Sequence, residues 1–235
     1  RIVFAYSRYS GTSSDDGAYC EIAAMYSSDN GETFSEPKIL VRPDKSRGET
    51  NCMSVSLLEL PNGDAGLFYL VKHTGMWSEM ILRRSCDGFD TLGKEIRCAP
   101  EKYRDYYVVN NDRILRTEND TLILPAALHR SAMNNYGFGE SVDSRAIAEF
   151  FASYDGGFTW KRVSDSLSIP AAYSGAGLQE PGVVELGGGV LYSYFRTDLG
   201  RVFRGVESHL PIRYRREGLE LSAHSACYRK VEKRR

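Results

Sequence analysis

Residues 27–34 read Ser-Ser-Asp-Asn-Gly-Glu-Thr-Phe and residues 153–160 read Ser-Tyr-Asp-Gly-Gly-Phe-Thr-Trp, so Ser, Asp, Gly, Thr and an aromatic residue recur at identical offsets. A third and more divergent copy, Ser-Cys-Asp-Gly-Phe-Asp-Thr-Leu, occupies residues 85–92. A pattern that recurs along one chain indicates that one supersecondary unit is used several times. The chain is therefore predicted to be an array of similar units.

Each copy is predicted to form a tight turn between two strands. Asp29 and Asp155 carry carboxylates that accept hydrogen bonds from the N–H groups of a turn, and Gly31 and Gly157 tolerate a positive φ. The aromatic residue that ends each of the two clear copies is expected to fill space beneath the turn, at the start of the next strand. The Asp residues are accordingly interpreted as structural.

A second pattern runs in phase with the first. Residues 57–70, 114–124 and 183–195 each contain an apolar run, a turn rich in Asn, Asp or Gly, and a second apolar run. This arrangement is typical of a β-hairpin. Each unit is therefore interpreted as an inner hairpin, a strand that leads into the Asp-bearing turn, and an outer strand such as Lys38–Val41.

These turns resemble the Asp boxes of the sialidase (neuraminidase) superfamily and of its relatives with bacterial neuraminidase repeats, which are six-bladed β-propellers. The resemblance covers about residues 1–200. It implies an all-β, sialidase-like β-propeller, of which this chain holds about three complete blades and the start of a fourth.

The net charge of −1 conceals an asymmetry along the chain. Of its 30 basic and 31 acidic residues, 10 and 4 respectively lie in residues 201–235, where hydrophobic alternation fades and no fourth Asp box occurs. This segment has neither the interleaving of aromatic with basic residues nor the recognisable module of a nucleic-acid binder, so no nucleic-acid partner is predicted. We divide the chain into a partial propeller, residues 1–200, and an atypical basic ending, residues 201–235.

Composition also excludes several other classes of site. No run approaches the ~20 apolar residues of a membrane helix, so no membrane span is expected. The five cysteines form no CxxC pair and are odd in number, which argues against a disulfide framework or a metal centre and favours free, buried thiols. No cofactor is expected.

The chain opens within a predicted strand, residues 2–6, and we expect no signal peptide in it; a secreted or periplasmic location would suit the bacterial resemblance.

The resemblance implies a catalytic acid in the first long loop. Arg8 ends the first predicted strand, as an Arg does in sialidases, and the loop that follows carries Asp15 and Asp16 ahead of the strand Glu21–Ala24. The sialidase acid/base corresponds to Asp16, with Asp15 as the alternative. A closing loop desolvates a carboxylate and raises its pKa toward the working pH, which suits proton transfer. The competing interpretation is a solvated turn acid.

The resemblance also assigns Glu180 and Arg196, which are separated by a predicted hairpin. In sialidases a Glu at the start of the corresponding blade supports a Tyr nucleophile. An Arg at the end of the hairpin that follows helps to bind the substrate carboxylate. The planar fork of Arg matches a carboxylate, and a Glu beside a phenol can take its proton. A buried structural ion pair would look identical in sequence.

Further substrate-binding candidates are weaker. Residues 122–130 resemble the sialidase strand whose end presents Tyr side chains to the sugar. His129 lies near that end, so it is a candidate to bond a sugar hydroxyl; a structural histidine is the alternative. Asn51 and Arg113 precede their hairpins at comparable positions.

The predicted function is that of an exo-α-sialidase-like glycoside hydrolase, which removes terminal sialic acid from a sialylated or other acidic glycan. Two further Arg residues and the nucleophilic Tyr of the family would lie before Arg1 and beyond residue 200, so we expect the isolated chain to be inactive. The leading alternative is a non-catalytic propeller that binds carbohydrate or protein, and a third is a hydrolase of different specificity. The sequence specifies no oligomeric state.

Overall fold

The computed structural model describes residues 1–11, 13, 15, 17–74, 76–131, 142–163 and 166–198, together with the backbone of residues 208–215 and 218–220. Within these residues the regular structure consists of β-strands and two short 3-10 turns, Lys45–Arg47 and Glu101–Tyr103. The predicted all-β class is confirmed.

The strands form four antiparallel sheets in chain order. The first sheet contains β1 (Ile2–Tyr9), β2 (Cys20–Ser27) and β3 (Lys38–Val41), and the second contains β4 (Glu49–Glu59), β5 (Ala65–His73), β6 (Trp77–Ser85) and β7 (Ile96–Arg97). The third contains β8 (Tyr106–Val108), β9 (Leu115–Arg116), β10 (Leu122–His129), β11 (Ile147–Ser153) and β12 (Lys161–Arg162). The fourth contains β13 (Gln179–Glu185), β14 (Val190–Arg196), β15 (Ser208–Arg215) and β16 (Gly218–Glu220).

One strand order recurs in these sheets. The second and fourth sheets are simple four-stranded meanders, and the first matches the last three strands of the second. In the third sheet β8 and β9 pair with the two ends of β10, one after the other. The predicted inner hairpins β4–β5, β9–β10 and β13–β14 are present, as is the outer strand β3.

The completeness of the sheets differs from the sequence-based expectation. The first sheet has three strands, and the fourth extends beyond residue 200 because the backbone of β15 pairs with β14. Main-chain hydrogen bonds of a ladder do not depend on side-chain alternation, which is why the fading pattern gave no sign of these strands. A domain boundary at residue 200 stays a prediction.

The sheets pack face to face in the order of the chain. Successive side chains of a strand point to opposite faces, and in the second sheet both faces are buried. One face packs on the first sheet through Leu67, Tyr69 and Ile81, and the other packs on the third sheet through Phe68, Leu70 and Leu82. The third and fourth sheets meet where the rings of Phe150 and Phe195 lie 6.5 Å apart.

The three Asp-bearing turns, residues 27–34, 85–92 and 153–160, share one set of hydrogen bonds. In the first turn, Ser27 Oγ donates to Asp29 Oδ1 at 2.6 Å and accepts from the N–H of Gly31 at 2.8 Å, while the N–H of Thr33 donates to Asp29 Oδ1 at 3.0 Å. The hydroxyl bonds of Ser27 and Thr33 hold the pKa of Asp29 well below its usual range. The equivalent bonds recur around Asp87 and Asp155.

The two aromatic residues after the turns differ in burial. Trp160 is buried and its indole N–H donates to the carbonyl of Gly157 at 3.0 Å, as expected of a ring beneath the turn. Phe34 is 41% exposed, and its ring lies edge-to-face against that of Phe4, which is itself 52% exposed, with the ring centroids 6.4 Å apart. The expectation of burial therefore fails for Phe34.

Four cysteines are free thiols in the described residues: Cys20, Cys52 and Cys98 are buried, and Cys86 is exposed. Cys227 lies outside the described residues. Among the helical segments that the structure describes, none has the length and apolar character needed to cross a membrane.

Candidate functional site

The candidate residues lie at the edge of the sheets opposite the Asp-bearing turns. Those turns follow β2, β6 and β11, whereas Arg8, His129 and Arg196 lie at the ends of β1, β10 and β14, and Glu180 lies near the start of β13. Because neighbouring strands are antiparallel, the end of each second strand shares an edge with the starts of the first and third strands. We call this edge the site edge.

Glu180 and Arg196 are the two candidates that the structure brings into direct contact. Arg196 Nε lies 3.0 Å from Glu180 Oε1, and the two side chains are 57% and 38% exposed. An ion pair this exposed contributes little to stability, about 0–1 kcal/mol. The pair is thus not the buried structural ion pair that the sequence left open.

The backbone at Glu180 has an uncommon conformation. Glu180 has a φ of 50°, and the register of β13 and β14 shifts between Gln179 and Gly182. Left-handed backbone costs energy for a residue with a side chain, and such strain clusters at functional sites. Gln179 fixes the neighbouring chain because its amide donates to the carbonyls of Ser144 at 3.1 Å and Ala176 at 2.8 Å.

Arg8 faces a carboxylate of its own sheet. Its Nη1 lies 3.6 Å from Glu21 Oε1, while the other oxygen of Glu21 accepts hydrogen bonds from Arg42 Nε at 3.1 Å and from Tyr19 Oη at 3.4 Å. Glu21 is 7% exposed, whereas the side chain of Arg8 is 47% exposed. Arg8 therefore retains donors at the site edge.

The predicted acid, Asp16, lies outside the described residues. Two hydrogen bonds of neighbouring residues are described. The alternative acid, Asp15, accepts a hydrogen bond from the N–H of Gly17 at 2.7 Å, so this carboxylate stabilises the local turn. Asn51 is fully buried and donates from Nδ2 to the carbonyl of Ala18 at 2.6 Å. Asn51 thus ties the loop to the second sheet, and its buried side chain faces the protein and not open space.

His129 is also enclosed. It is 9% exposed, its Nδ1 lies 2.8 Å from the carbonyl oxygen of Asp143, and its ring packs edge-on against Tyr106. This placement resembles that of a structural histidine, and its role toward a sugar stays a prediction.

Arg113 projects from the segment between β8 and β9. The segment is fixed to the second sheet, because the N–H of Asp112 donates to Val55 O at 3.2 Å and that of Arg113 donates to Ser56 Oγ at 3.2 Å. Arg113 Nη1 donates to the hydroxyl of Tyr194 at 3.1 Å. Arg113 therefore connects the third sheet with the fourth.

Sequence reasoning missed a set of buried glutamates on β2, β6 and β11, the strands that lead into the Asp-bearing turns. Glu21 on β2, Glu79 on β6 and Glu149 on β11 each bind an Arg on or beside the last strand of their sheet, at 3.1 Å for Arg42, 2.6 Å for Arg97 and 2.8 Å for Arg162. Glu149 also accepts from the hydroxyl of Tyr107 at 2.8 Å; burial, and then this carboxylate, raises the pKa of Tyr107. Glu21 and Glu79 each precede the first Ser of an Asp-bearing turn by six residues, a spacing that offered a signal.

No group of three or more His, Cys, Asp or Glu side chains in the described part of the chain is arranged to hold a metal ion.

Comparison with known proteins decides the fold. Neither a family model nor a curated protein matches the sequence. A Hadza microbial sialidase, Hz136, superposes with a TM-score of 0.66 at 17% identity over 95% of this chain and 44% of its own. Trypanosoma rangeli sialidase in complex with the inhibitor DANA gives 0.60 at 19% identity over 92% and 34%. A thermostable family-43 glycoside hydrolase gives 0.61 at 11% identity over 99% and 74%.

The fold is a sialidase-like β-propeller. The chain spans less than half the length of the two sialidases and about three quarters of the family-43 hydrolase. The four sheets correspond to blades of such a propeller, and we call the region beside the first strands of the second, third and fourth sheets, β4, β9 and β13, the hub. At these identities the similarity establishes the glycoside hydrolase-like fold, and the chemistry rests on the residues themselves.

Proposed function

We propose that this chain belongs to an exo-α-sialidase-type glycoside hydrolase that removes terminal sialic acid from glycoconjugates. The observation that supports the proposal most directly is the Glu180–Arg196 pair, exposed at the site edge of a sialidase-like propeller with its partners 3.0 Å apart. Loops and strand ends that converge on one face of a scaffold are the usual place for binding and catalysis.

The geometry of the pair suits recognition of an acid sugar. Glu180 engages Nε of Arg196, and within the described residues the two Nη groups have no acceptor. Glu180 thus orients the guanidinium while leaving its terminal fork for a carboxylate, which Arg binds through two parallel hydrogen bonds.

The proposed reaction gives Asp16 and Glu180 different roles. Glu180 takes the proton of a Tyr supplied by another part of the protein, and the phenolate oxygen bonds to the anomeric carbon as the bond to the leaving oxygen breaks. Asp16 donates its proton to that oxygen and later takes one from the water that releases the sugar. A neutral nucleophile avoids repulsion by the substrate's carboxylate, which is why sialidases depart from the two-carboxylate scheme.

Hydrolysis of a fluorogenic sialoside by the complete gene product tests this proposal. We expect Asp16→Asn and Glu180→Gln to lower kcat by about 100-fold or more, because each loses a proton-transfer group. Arg196→Lys is expected to raise KM by about tenfold, since Lys keeps the charge but loses the planar fork. The matched control is Glu185→Gln on the same strand, whose carboxylate accepts from the N–H of Glu118 at 2.7 Å, and this variant should behave like the wild type.

Equal turnover by the wild type and Asp16→Asn would remove the proposed acid. Retained glycan binding without turnover in any form would favour the non-catalytic binding propeller. Turnover of other glycosides but not of sialosides would favour a hydrolase of different specificity.

A further inference from the structure

A cluster of hydrogen bonds continues the contact between β13 and β14 beyond the end of their ladder. The last pair of the ladder at the site edge joins Gln179 and Arg196. Asp198 follows Arg196 by two residues. Its Oδ1 accepts from the hydroxyl of Ser174 and, at 3.0 Å, from the N–H of Ala176. The segment after β14 is therefore bound to the segment that leads into β13.

Ser174 lies at the centre of this cluster. It is 2% exposed, and its Oγ, besides donating to Asp198, accepts from the N–H of Gly177 at 2.9 Å. Arg145, which precedes β11 in the third blade, donates from Nη1 to the carbonyl of Ser174 at 2.5 Å and from Nη2 to that of Ile169 at 2.7 Å. The chain before β13 is thus held by the third blade through its backbone and by the fourth blade through Asp198.

Other described hydrogen bonds of this segment also reach the third blade. The N–H of Leu178 donates to the carbonyl of Ala146 at 2.9 Å, and the side-chain amide of Gln179 donates to that of Ser144 at 3.1 Å. These bonds fix the segment to its neighbour and not to β14. Asp198 supplies the bonds that join it to its own blade at the site edge.

Glu180 needs such support because its backbone is strained. Its φ of 50° lies in the left-handed region, and a conformation of this kind persists only where the surrounding contacts fix it. The register of the ladder shifts between Gln179 and Gly182, so Glu180 itself has no partner in the ladder. If the flanking segment were released, the backbone of Glu180 could relax, and the change in φ would turn its carboxylate away from Arg196.

We propose that Asp198 is a positioning residue for the Glu180–Arg196 pair. By fixing the segment before Glu180 to the segment after Arg196, it keeps Glu180 in the conformation that places Oε1 3.0 Å from Arg196 Nε. The hydroxyl of Ser174 and then the N–H of Ala176 lower the pKa of Asp198, so the acceptor stays ionised in neutral solution. The role of the pair in catalysis rests on the function proposed above, whereas the positioning does not.

The ¹H–¹⁵N signal of the Arg196 Nε group tests the positioning on the full chain without any substrate. Arg196→Lys identifies the signal by removing it, and Glu180→Gln gives its position when the charged pair is lost. We expect Asp198→Ala to move the signal toward the Glu180→Gln position. Asp198→Asn keeps an acceptor oxygen and should leave the signal at the wild-type position. The matched control is Asp120→Ala, which removes a carboxylate bonded to Arg116 at the opposite edge of the third blade and should also leave it unchanged.

Ser174→Ala is a second variant that breaks the same contact from its other side. We expect it to move the Arg196 signal in the same direction as Asp198→Ala. The double variant should move the signal no further than Asp198→Ala alone, because two residues that act through one contact are not additive. The melting temperature of each variant shows whether it is folded.

Turnover of a fluorogenic sialoside by the complete gene product tests the consequence for the reaction. Asp198→Ala should lower kcat/KM by about tenfold or more, because small misplacements of reacting groups are costly. Asp198→Asn should stay within about threefold of the wild type, since it loses the charge of the acceptor but keeps the hydrogen bonds.

An unchanged Arg196 signal in folded Asp198→Ala would overturn the positioning, as would equal shifts in Asp198→Ala and Asp198→Asn. A shifted signal with unchanged turnover would remove the role of Asp198 in the reaction. Absence of turnover in every form, the wild type included, would count against the sialidase function, while the NMR comparison would still decide the positioning.

Discussion

At the scale of single residues, the buried glutamates on β2, β6 and β11 show how a carboxylate inside a sheet is held by hydrogen bonds and ion pairs. Glu149 is 2% exposed and accepts from Tyr107, Arg162 and, at 2.6 Å, Ser166. A carboxylate removed from water is tolerated only when its lone pairs are bonded and its charge is paired. These glutamates therefore fasten the outer strands to the blades and stand apart from the proposed chemistry.

Removal of the cation beside Glu149 should be destabilising. Arg162→Met keeps much of the apolar length of the side chain but leaves a buried carboxylate without its counter-charge. Arg162 is 29% exposed, so we expect a loss of about 2–3 kcal/mol, below the value for a fully buried pair. Urea unfolding measures the difference, and Arg116→Met, which breaks an exposed pair with Asp120, should cost about 1 kcal/mol or less. Equal losses in the two variants would contradict the burial argument.

At the scale of elements, the Asp-bearing turns are local structures with a fixed backbone. In each turn two consecutive residues have positive φ, including Gly156 and Gly157 at 72° and 98°. The divergent second turn places Phe89 at φ 70° where the others have Gly, and this ring is buried against the core between the first two blades. Packing of the ring offsets the backbone strain there.

Gly157→Ala should destabilise the third blade more than its backbone angle alone implies. The new Cβ would lie 2.7 Å from Leu82 Cδ2, which is fully buried in the neighbouring blade. We expect a loss of about 2–4 kcal/mol from strain and overpacking together. Gly63→Ala is the matched control, because Gly63 has a φ of 85° with no atom near the added Cβ, and it should cost about 1 kcal/mol. Similar unfolding midpoints for both variants would show that the contact with Leu82 does not affect the free energy of unfolding.

At the scale of the whole molecule, the first blade presents an open edge. Within the described residues β1 pairs with β2 alone, whereas β5 and β10 each have strands on both sides. The outward face of this blade carries Phe4, 52% exposed, whose ring stacks on Tyr6 at 5.7 Å. An exposed strand edge beside an apolar face is a template for association.

The isolated chain should therefore self-associate in a concentration-dependent way. Phe4→Lys places a charge on the outward face beside the open edge, and we expect it to shift sedimentation velocity profiles toward the monomer. Tyr173→Lys, at another exposed aromatic residue that lies outside the strands, serves as the control and should leave the profiles unchanged. A monomer at every concentration, or an equal effect of the two substitutions, would show that the edge of β1 is not the contact.

The features that could be predicted from the sequence are those whose interactions join residues close together in the chain. The turn at residues 27–34 was predictable because its bonds join residues at most four positions apart, and the hairpin β13–β14 because apolar runs flank a Gly-rich turn. Burial was less predictable: Phe34 and Trp160 have equivalent sequence positions but different neighbours. Trp160 packs on Phe68 of the second blade, whereas Phe34 packs on the exposed ring of Phe4. The site residues Arg8, Glu180 and Arg196 were named from a family resemblance, and their roles stay predictions.

The sequence by itself determined the repeated unit, the all-β class and the edge at which the polar strand ends collect, because turn geometry and side-chain alternation are set by residues close together in the chain. Only the tertiary structure decided that Asn51 anchors the loop 33 residues before it and that Arg113 meets Tyr194 in another blade. Such contacts depend on how whole sheets pack across the hub, and no local pattern encodes the distance between two blades.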